Sequence, residues 1–157
     1  MGFLTGKTAI ITGGGRAVLS NGECGSIGYG IATAYAKEGA NLVLTGRNVQ
    51  KLTDAKEELE KKYGIKVLPV QADVSAGSDN EAIVQNVVKQ AIDTFGRIDV
   101  LINNAQASAS GVTIADHTTE QFDLAVYSGL YAAFYYMKAC YPYLKETKGS
   151  VINFASG

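Results

Sequence analysis

A glycine-rich turn between a strand and a helix constrains the fold of this chain more than any other feature. Its two ends read TGGGR at residues 12–16 and SIGYGIA at residues 26–32. An apolar run rich in strand formers precedes it at residues 8–11, and apolar residues at helical spacing follow it as far as Gly39. Glycines let a backbone approach a pyrophosphate, which accepts hydrogen bonds at a helix N-terminus. The sequence therefore predicts a dinucleotide-binding turn, whose candidate contacts are Gly13, Gly15, Arg16, Ser26, Ile27 and Gly28.

Composition excludes several classes of function. The 157 residues are 46% hydrophobic and 18% charged, which is ordinary for one globular domain. A net charge of −1 gives no electrostatic reason to expect nucleic acid or an anionic membrane as a partner. Cys24 and Cys140 lack metal-ligand spacing, and no apolar run reaches the roughly 20 residues of a membrane helix. We expect a soluble cytoplasmic protein that binds no nucleic acid, membrane or metal.

Strands and helices alternate along the whole chain. Besides the first unit, the pattern predicts strands at 41–45, 66–71, 99–103 and 150–154, and helices at 48–64, 79–95 and 119–144. Near-continuous apolar strands joined by helices imply a parallel sheet covered on both faces. Pro69 places the third strand at a sheet edge. The predicted fold is a single α/β domain over residues 1–157, a Rossmann-type doubly wound sheet truncated after its fifth strand.

The segment after the second strand indicates which dinucleotide is bound. NAD-binding folds usually place an acidic residue there, on the ribose 2′-hydroxyl. Thr45, Gly46 and Arg47 occupy these positions instead. The guanidinium groups of Arg47 and Arg16 would suit a 2′-phosphate through charge-assisted hydrogen bonds. The sequence therefore favours NADP, although two solvated surface arginines would give the same pattern.

Polar residues also end the third and fourth strands. Asp73 precedes Val74 at a position where a carboxylate can accept from the adenine amino group. Asn103, Asn104 and Ala105 end the fourth strand with two amides that can bind backbone or ribose. An aspartate that starts a helix and asparagines that form a turn are the plain alternatives. Ligands bind at the carboxyl ends of parallel strands, so we expect Asp73, Val74, Asn104 and Ala105 in the cofactor site.

Together these motifs resemble the short-chain dehydrogenase/reductase family along the whole chain, including SVINFAS at residues 150–156. The segments NNAQASASG and YSGLY are similar to bacterial NADP-dependent bile-acid hydroxysteroid dehydrogenases, the 12α-specific kind in particular. The resemblance implies hydride transfer between NADP and a secondary alcohol or ketone, here a small-molecule hydroxysteroid. It also implies a homodimer or homotetramer, in which the aromatic residues of the long helix pack against a symmetry mate.

The family resemblance further implies a catalytic serine, and Ser156 matches it as the residue that holds the substrate oxygen. In the family a Tyr-x-x-x-Lys pair about a dozen residues later moves the proton, and a chain ending at Gly157 does not reach it. We therefore expect these residues to be the N-terminal part of a longer enzyme. Tyr141 and Lys145 fit the same pattern, but they end a helix that runs antiparallel to the strands. We reject them because that helix end lies at the opposite rim of the sheet.

Three departures from the family pattern keep alternatives open. Residues 17–25 look inserted into the glycine-rich turn, and SIGYGIA at residues 26–32 resembles enoyl-thioester reductases, which have a similarly lengthened turn. Gly129 stands where the family has an asparagine that supports a proton-relay water. Gln106 replaces the last glycine of Asn-Asn-Ala-Gly, so its amide is a candidate for contact with the substrate. The alternatives are an enoyl-thioester reductase and, if the protein ends at Gly157, an inactive NADP-binding module.

Overall fold

A computed structural model describes residues 2–155 and confirms the predicted α/β class. Its five strands form one parallel sheet: β1 (Thr8–Thr12), β2 (Asn41–Gly46), β3 (Val67–Gln71), β4 (Val100–Asn103) and β5 (Ser150–Asn153). The helices are α1 (Ile27–Lys37), α2 (Val49–Tyr63), α3 (Asn80–Phe95), α4 (Thr119–Val126) and α5 (Ala132–Thr147). Ser156, the predicted catalytic residue, lies outside the described residues.

The order of the strands is β3-β2-β1-β4-β5. The chain runs outward from β1 to β3 and then crosses back to place β4 on the other side of β1. In the register, Ile10 pairs with Val43 on one side and with Leu101 on the other. The strand order therefore reverses at β1, and a crevice opens beyond the carboxyl ends of β1 and β4. β3 lies at an edge, as its proline predicts.

Two hydrophobic cores cover the sheet, one on each face. Alternation along β1 sends Ala9 and Ile11 into the core beneath α1 and α2, and Ile10 into the core beneath α3 and α5. Leu52 and Leu59 of α2 are buried, as their spacing predicts. The inward face of α1 is instead made by smaller residues and one tyrosine: Gly28, Tyr29, Ala32 and Ala36. The apolar residues whose spacing suggested this helix lie at its margin, and Ile27 is 64% exposed.

The long helix predicted over residues 119–144 is interrupted in its middle. A capping box between Thr118 and Gln121 begins α4, and a π-helical turn (Tyr127–Tyr131) joins α4 to α5. In that turn the Ala132 N–H donates to the Tyr127 carbonyl, five residues back. The helix then continues to Thr147. The spacing of the apolar residues does not predict this extra residue in one turn of the helix.

The end of α5 lies at the rim of the sheet opposite the crevice. Thr147 Oγ1 donates to the carbonyl of Ile98, before the start of β4, at 2.8 Å. This contact confirms that Tyr141 and Lys145 belong to the opposite rim, and Tyr141 is 64% exposed there. Between residues 2 and 155, no helix is long and apolar enough to cross a membrane.

Candidate functional site

One threonine joins the ends of the two central strands. The Oγ1 of Thr12 accepts hydrogen bonds from the N–H groups of Asn104 at 3.0 Å and Ala105 at 2.9 Å. The Asn104 amide donates back to the Thr12 carbonyl at 3.0 Å. Thr12 is 1% exposed, so these contacts form at the buried floor of the crevice. Thr12 is not among the residues that the sequence predicts for the site. Its position, as a polar residue that ends an apolar strand just before a glycine, could have indicated a role there.

Two glycines let the turn after β1 lie against the start of α1. Gly13 adopts a left-handed conformation with φ +70°. A Cβ atom added to Gly28 would lie 2.1 Å from the Gly13 carbonyl oxygen, which only glycine avoids. The Ser26 hydroxyl caps α1 by accepting from the Tyr29 N–H at 3.3 Å. The N-terminus of α1, with its free N–H groups, is therefore directed at the mouth of the crevice.

Two adjoining clefts occupy the crevice. The larger, of about 410 Å³, lies towards the long helix and is lined by residues that include Ile27, Asn103, Gly129, Tyr136 and Phe154. The smaller, of about 270 Å³, lies over β2 and β3. They share Val74, Asn104, Ala105 and Gln106 as common walls. Because they share these walls, the two clefts form one elongated groove across the strand ends.

Most residues predicted for cofactor binding lie together in this groove. The smaller cleft is lined by Gly13, Arg47, Asp73, Val74, Asn104, Ala105 and Gln106. Ile27 lines the larger cleft, with Val74, Asn104, Ala105 and Gln106. Ser26 and Gly28 support the groove from behind, through the cap and the close approach described above. Gly15 packs against the first turn of α2, where an added Cβ would lie 3.1 Å from the Cβ of Lys51.

Arg16 does not line the cleft that Arg47 lines. Its guanidinium Nε donates to the Glu58 carboxylate on α2 at 2.6 Å. The same carboxylate accepts from the Tyr29 hydroxyl and, at 2.6 Å, from Lys62. This cluster ties the glycine-rich turn to α2, outside both clefts. The Arg16 guanidinium is thus bound to a carboxylate in this structure, and contact of Arg16 and Arg47 with one phosphate stays a prediction.

Arg47 and Asp73 give the smaller cleft its polar character. Arg47 has an exposed side chain at the cleft, and its carbonyl accepts from Gln71 at 3.0 Å. Asp73 Oδ1 accepts from the Ser75 N–H at 2.9 Å and from the Ser75 hydroxyl at 2.6 Å. Burial alone would raise the pKa of Asp73, but these bonds and nearby Arg47 lower it below its usual value. Asp73 is therefore ionised at neutral pH, and it caps a turn rather than α3, whose N-cap is Asp79.

Tyr136 is the tyrosine that lines the larger cleft, so it has to be considered as a proton donor. Its side chain is 1% exposed, and burial raises its pKa to about 12. The nearby Thr45 hydroxyl offsets this rise only in part, and within residues 2–155 neither hydroxyl has a partner at full hydrogen-bond geometry. A phenol with such a raised pKa does not release its proton readily at neutral pH and, being protonated, cannot accept one, so it is a poor general acid and a poor general base. Tyr136 therefore forms a wall of the cleft.

The Glu58 cluster predicts a pH-dependent contribution to stability. The ammonium group of Lys62 and the hydroxyl of Tyr29 lower the pKa of Glu58 from 4.5 to about 2. A group whose pKa is lowered on folding stabilises the protein above its unfolded pKa and loses that contribution as the pH falls towards 2. Between pH 5 and pH 2.5, the wild type should lose about 1–2 kcal/mol more free energy of unfolding than Glu58→Gln.

Urea unfolding at a series of pH values measures this difference. Glu57→Gln is the matched control, because Glu57 is exposed and forms no ion pair among residues 2–155. Parallel pH profiles for the wild type and Glu58→Gln would contradict the account of this cluster.

Comparisons with known proteins agree with this geometry. A family model described as short chain dehydrogenase matches residues 7–157. A 12alpha-hydroxysteroid dehydrogenase of Clostridium sp. is 67% identical over 157 residues, which are 100% of this chain and 58% of the relative. The structure of L-sorbose reductase from Gluconobacter frateurii, complexed with NADPH and L-sorbose, has a TM-score of 0.84 and 32% identity. It is matched over 99% of this chain and 54% of its own.

A structure of NAD⁺-bound xylitol dehydrogenase is also similar, with a TM-score of 0.83 and 26% identity over 98% of this chain and 54% of its own. Similar folds thus hold either nicotinamide cofactor, and the choice between them falls to individual residues. The chain spans little more than half the length of these three proteins.

Proposed function

The chain belongs to the short-chain dehydrogenase family, and we propose that the whole protein transfers a hydride between NADP and a hydroxysteroid. The substrate we propose is a bile acid with a 12α-hydroxyl group or the corresponding ketone. The observation that carries this proposal is the 67% identity with a 12alpha-hydroxysteroid dehydrogenase along every residue of the chain. The groove across the ends of β1 and β4 supports it independently, because dinucleotides bind at the carboxyl ends of the strands where the strand order reverses.

NADP is the proposed cofactor because the smaller cleft carries an exposed arginine and lacks an acid at residues 45–47. Arg47 would hold the 2′-phosphate, and Asp73 with Val74 would hold the adenine. Asn104 and Ala105 would contact a ribose. The turn at the start of α1 would hold the pyrophosphate through Gly13, Gly15, Ser26, Ile27 and Gly28. When bound, the nicotinamide supplies or accepts the hydride.

The larger cleft is the proposed place where the nicotinamide meets the steroid. Ile27, Ala133 and Phe154 give it apolar walls, and polar residues that include Gln106 and Asn153 line about as much of its surface. Such a mixed lining offers apolar contact to steroid rings and hydrogen-bonding groups to steroid hydroxyls. We propose that Ser156 orients the substrate oxygen. The Tyr-x-x-x-Lys pair that moves the proton would lie in the part of the relatives that this chain does not cover, so residues 1–157 would be the dinucleotide-binding part of the enzyme.

We further propose a cytoplasmic homodimer or homotetramer. The long helix exposes a row of large apolar side chains: Leu130 (67%), Tyr131 (43%), Phe134 (51%) and Tyr141 (64%). Aromatic residues are enriched at interfaces between protein subunits. Both cysteines are unpaired, which suits a reducing compartment. Light scattering on the whole protein measures the assembly, and a monomer at micromolar concentration would exclude it.

Replacing Arg47 should separate the two nicotinamide cofactors. In Arg47→Ala the 2′-phosphate loses its charge-assisted hydrogen bonds, so the Kd for NADPH should rise about 10- to 100-fold. NADH has no 2′-phosphate, so its Kd should stay within about twofold. Fluorescence titration of both cofactors measures the two constants.

Lys89→Ala is the control for this substitution, because it removes one positive charge from α3, away from the groove. Equal weakening of NADPH and NADH in Arg47→Ala would contradict the assignment of a 2′-phosphate site.

Oxidation of NADPH by the whole protein tests the proposed reaction. A 12-keto bile acid should drive it, and Ser156→Ala should slow it about 100-fold because the developing charge on the substrate oxygen loses a donor. An unsaturated acyl thioester should give no oxidation. Turnover of the thioester alone would establish the enoyl reductase alternative. Tight NADPH binding without turnover of either compound would establish an inactive binding module.

A further inference from the structure

A buried serine connects the long helix to the loop that follows β4. Ser128 is 2% exposed and lies in the π-helical turn. Its Oγ accepts from the Ala107 N–H at 2.9 Å. The same Oγ lies 2.9 Å from the Ala107 carbonyl and 2.7 Å from the Leu124 carbonyl. A hydroxyl has one proton, so it donates to one carbonyl at a time while the Ala107 N–H stays bound throughout.

The π-helical turn brings this serine to the loop. One extra residue in the turn interrupts the regular hydrogen-bond ladder, and such turns occur frequently at functional sites. The turn also presents Gly129 to the same loop, where an added Cβ would lie 3.8 Å from Gln106 Cγ. Gly129 carries no side chain, so the helix leaves the space beside Gln106 open.

Gln106 is therefore held on both sides through its neighbours. On the sheet side, the Ala105 N–H donates to Thr12 at 2.9 Å. On the helix side, the Ala107 N–H donates to Ser128. The Gln106 side chain lines both clefts where they meet. A primary amide can donate and accept hydrogen bonds, and this one reaches the groove from a backbone that is fixed at both ends.

We infer that Ser128 is a positioning residue. It holds the Ala107 peptide against the π-helical turn and so keeps the Gln106 amide beside Gly129, at the junction of the two clefts, where it binds the steroid. The inference rests on the proposed function. A serine inside a helix does little for helix stability, because its hydroxyl competes for backbone carbonyls. The gain lies in preorganisation, since small displacements of a binding group near the reacting atoms cost large factors in rate.

A double-mutant cycle separates this role from a general effect on folding. The four proteins are the wild type, Ser128→Ala, Gln106→Ala and the double variant, each as the whole enzyme with NADPH and a 12-keto bile acid. Ser128→Ala should lower kcat/KM about 5- to 30-fold and change the Kd of NADPH by less than about twofold. With Gln106→Ala already present, the serine substitution should change kcat/KM by less than about twofold.

Ser128→Cys and Ser110→Ala complete the series. The thiol is somewhat larger than the hydroxyl and is a weak acceptor, so Ser128→Cys should resemble Ser128→Ala without leaving a cavity. Ser110 is an exposed serine in the same loop, and its replacement by alanine should leave kcat/KM unchanged. An equal effect of Ser128→Ala in both Gln106 backgrounds would overturn the inference, as would a parallel loss of NADPH affinity.

Amide hydrogen exchange tests the contact without relying on turnover. In Ser128→Ala, the Ala107 N–H should exchange at least about tenfold faster, whereas the Asn104 and Ala105 N–H groups, held by Thr12, should be unchanged. Unchanged exchange at Ala107 would overturn the positioning contact. A wild type that binds NADPH but reduces no keto-steroid would overturn the proposed substrate instead, and the exchange rates would still decide whether the contact exists.

Discussion

The bond between Thr12 and the end of β4 is the contact on which the groove depends. One hydroxyl accepts from two successive backbone N–H groups, Asn104 and Ala105, and the Asn104 amide returns a bond to the Thr12 carbonyl. Without this hydroxyl two partly buried N–H groups would lose their acceptor, at about 1–3 kcal/mol each. The same bond sets where the Gly13 turn begins and where the loop to Gln106 leaves the sheet. Both clefts are therefore built on it.

The groove has a second point of support on the long helix. Ser128 binds the Ala107 peptide as Thr12 binds the Ala105 peptide, so the loop between them is held from the helix and from the sheet. A glycine at position 129 leaves room beside a glutamine at position 106. Gly129 and Gln106 both depart from the family pattern. The two departures fit each other, because the glycine on the helix leaves free the space next to the glutamine in the loop.

Local patterns were sufficient to predict the strands, the helices and the strand-end residues of the groove. Hydrophobic alternation, helix caps and glycine turns are determined by a few neighbouring residues. Parallel strands also bring their carboxyl ends to one edge of the sheet, whatever the order of the strands. Contacts between distant segments were not predictable in this way. Arg16 and Glu58 are 42 residues apart, and no local signal paired them. The π-helical turn was not predictable from the sequence pattern either, because it adds only one residue to one turn of an otherwise regular helix.

The central claim is that the groove across the ends of β1 and β4 binds NADP, and a crystal structure of the protein with NADP⁺ tests it most directly. The pyrophosphate should lie at the turn between Gly13 and Gly28, and the 2′-phosphate within hydrogen-bond distance of Arg47. The nicotinamide should lie in the larger cleft, beside Gln106. A cofactor bound elsewhere on the sheet, or a 2′-phosphate without contact to Arg47, would contradict the proposed site.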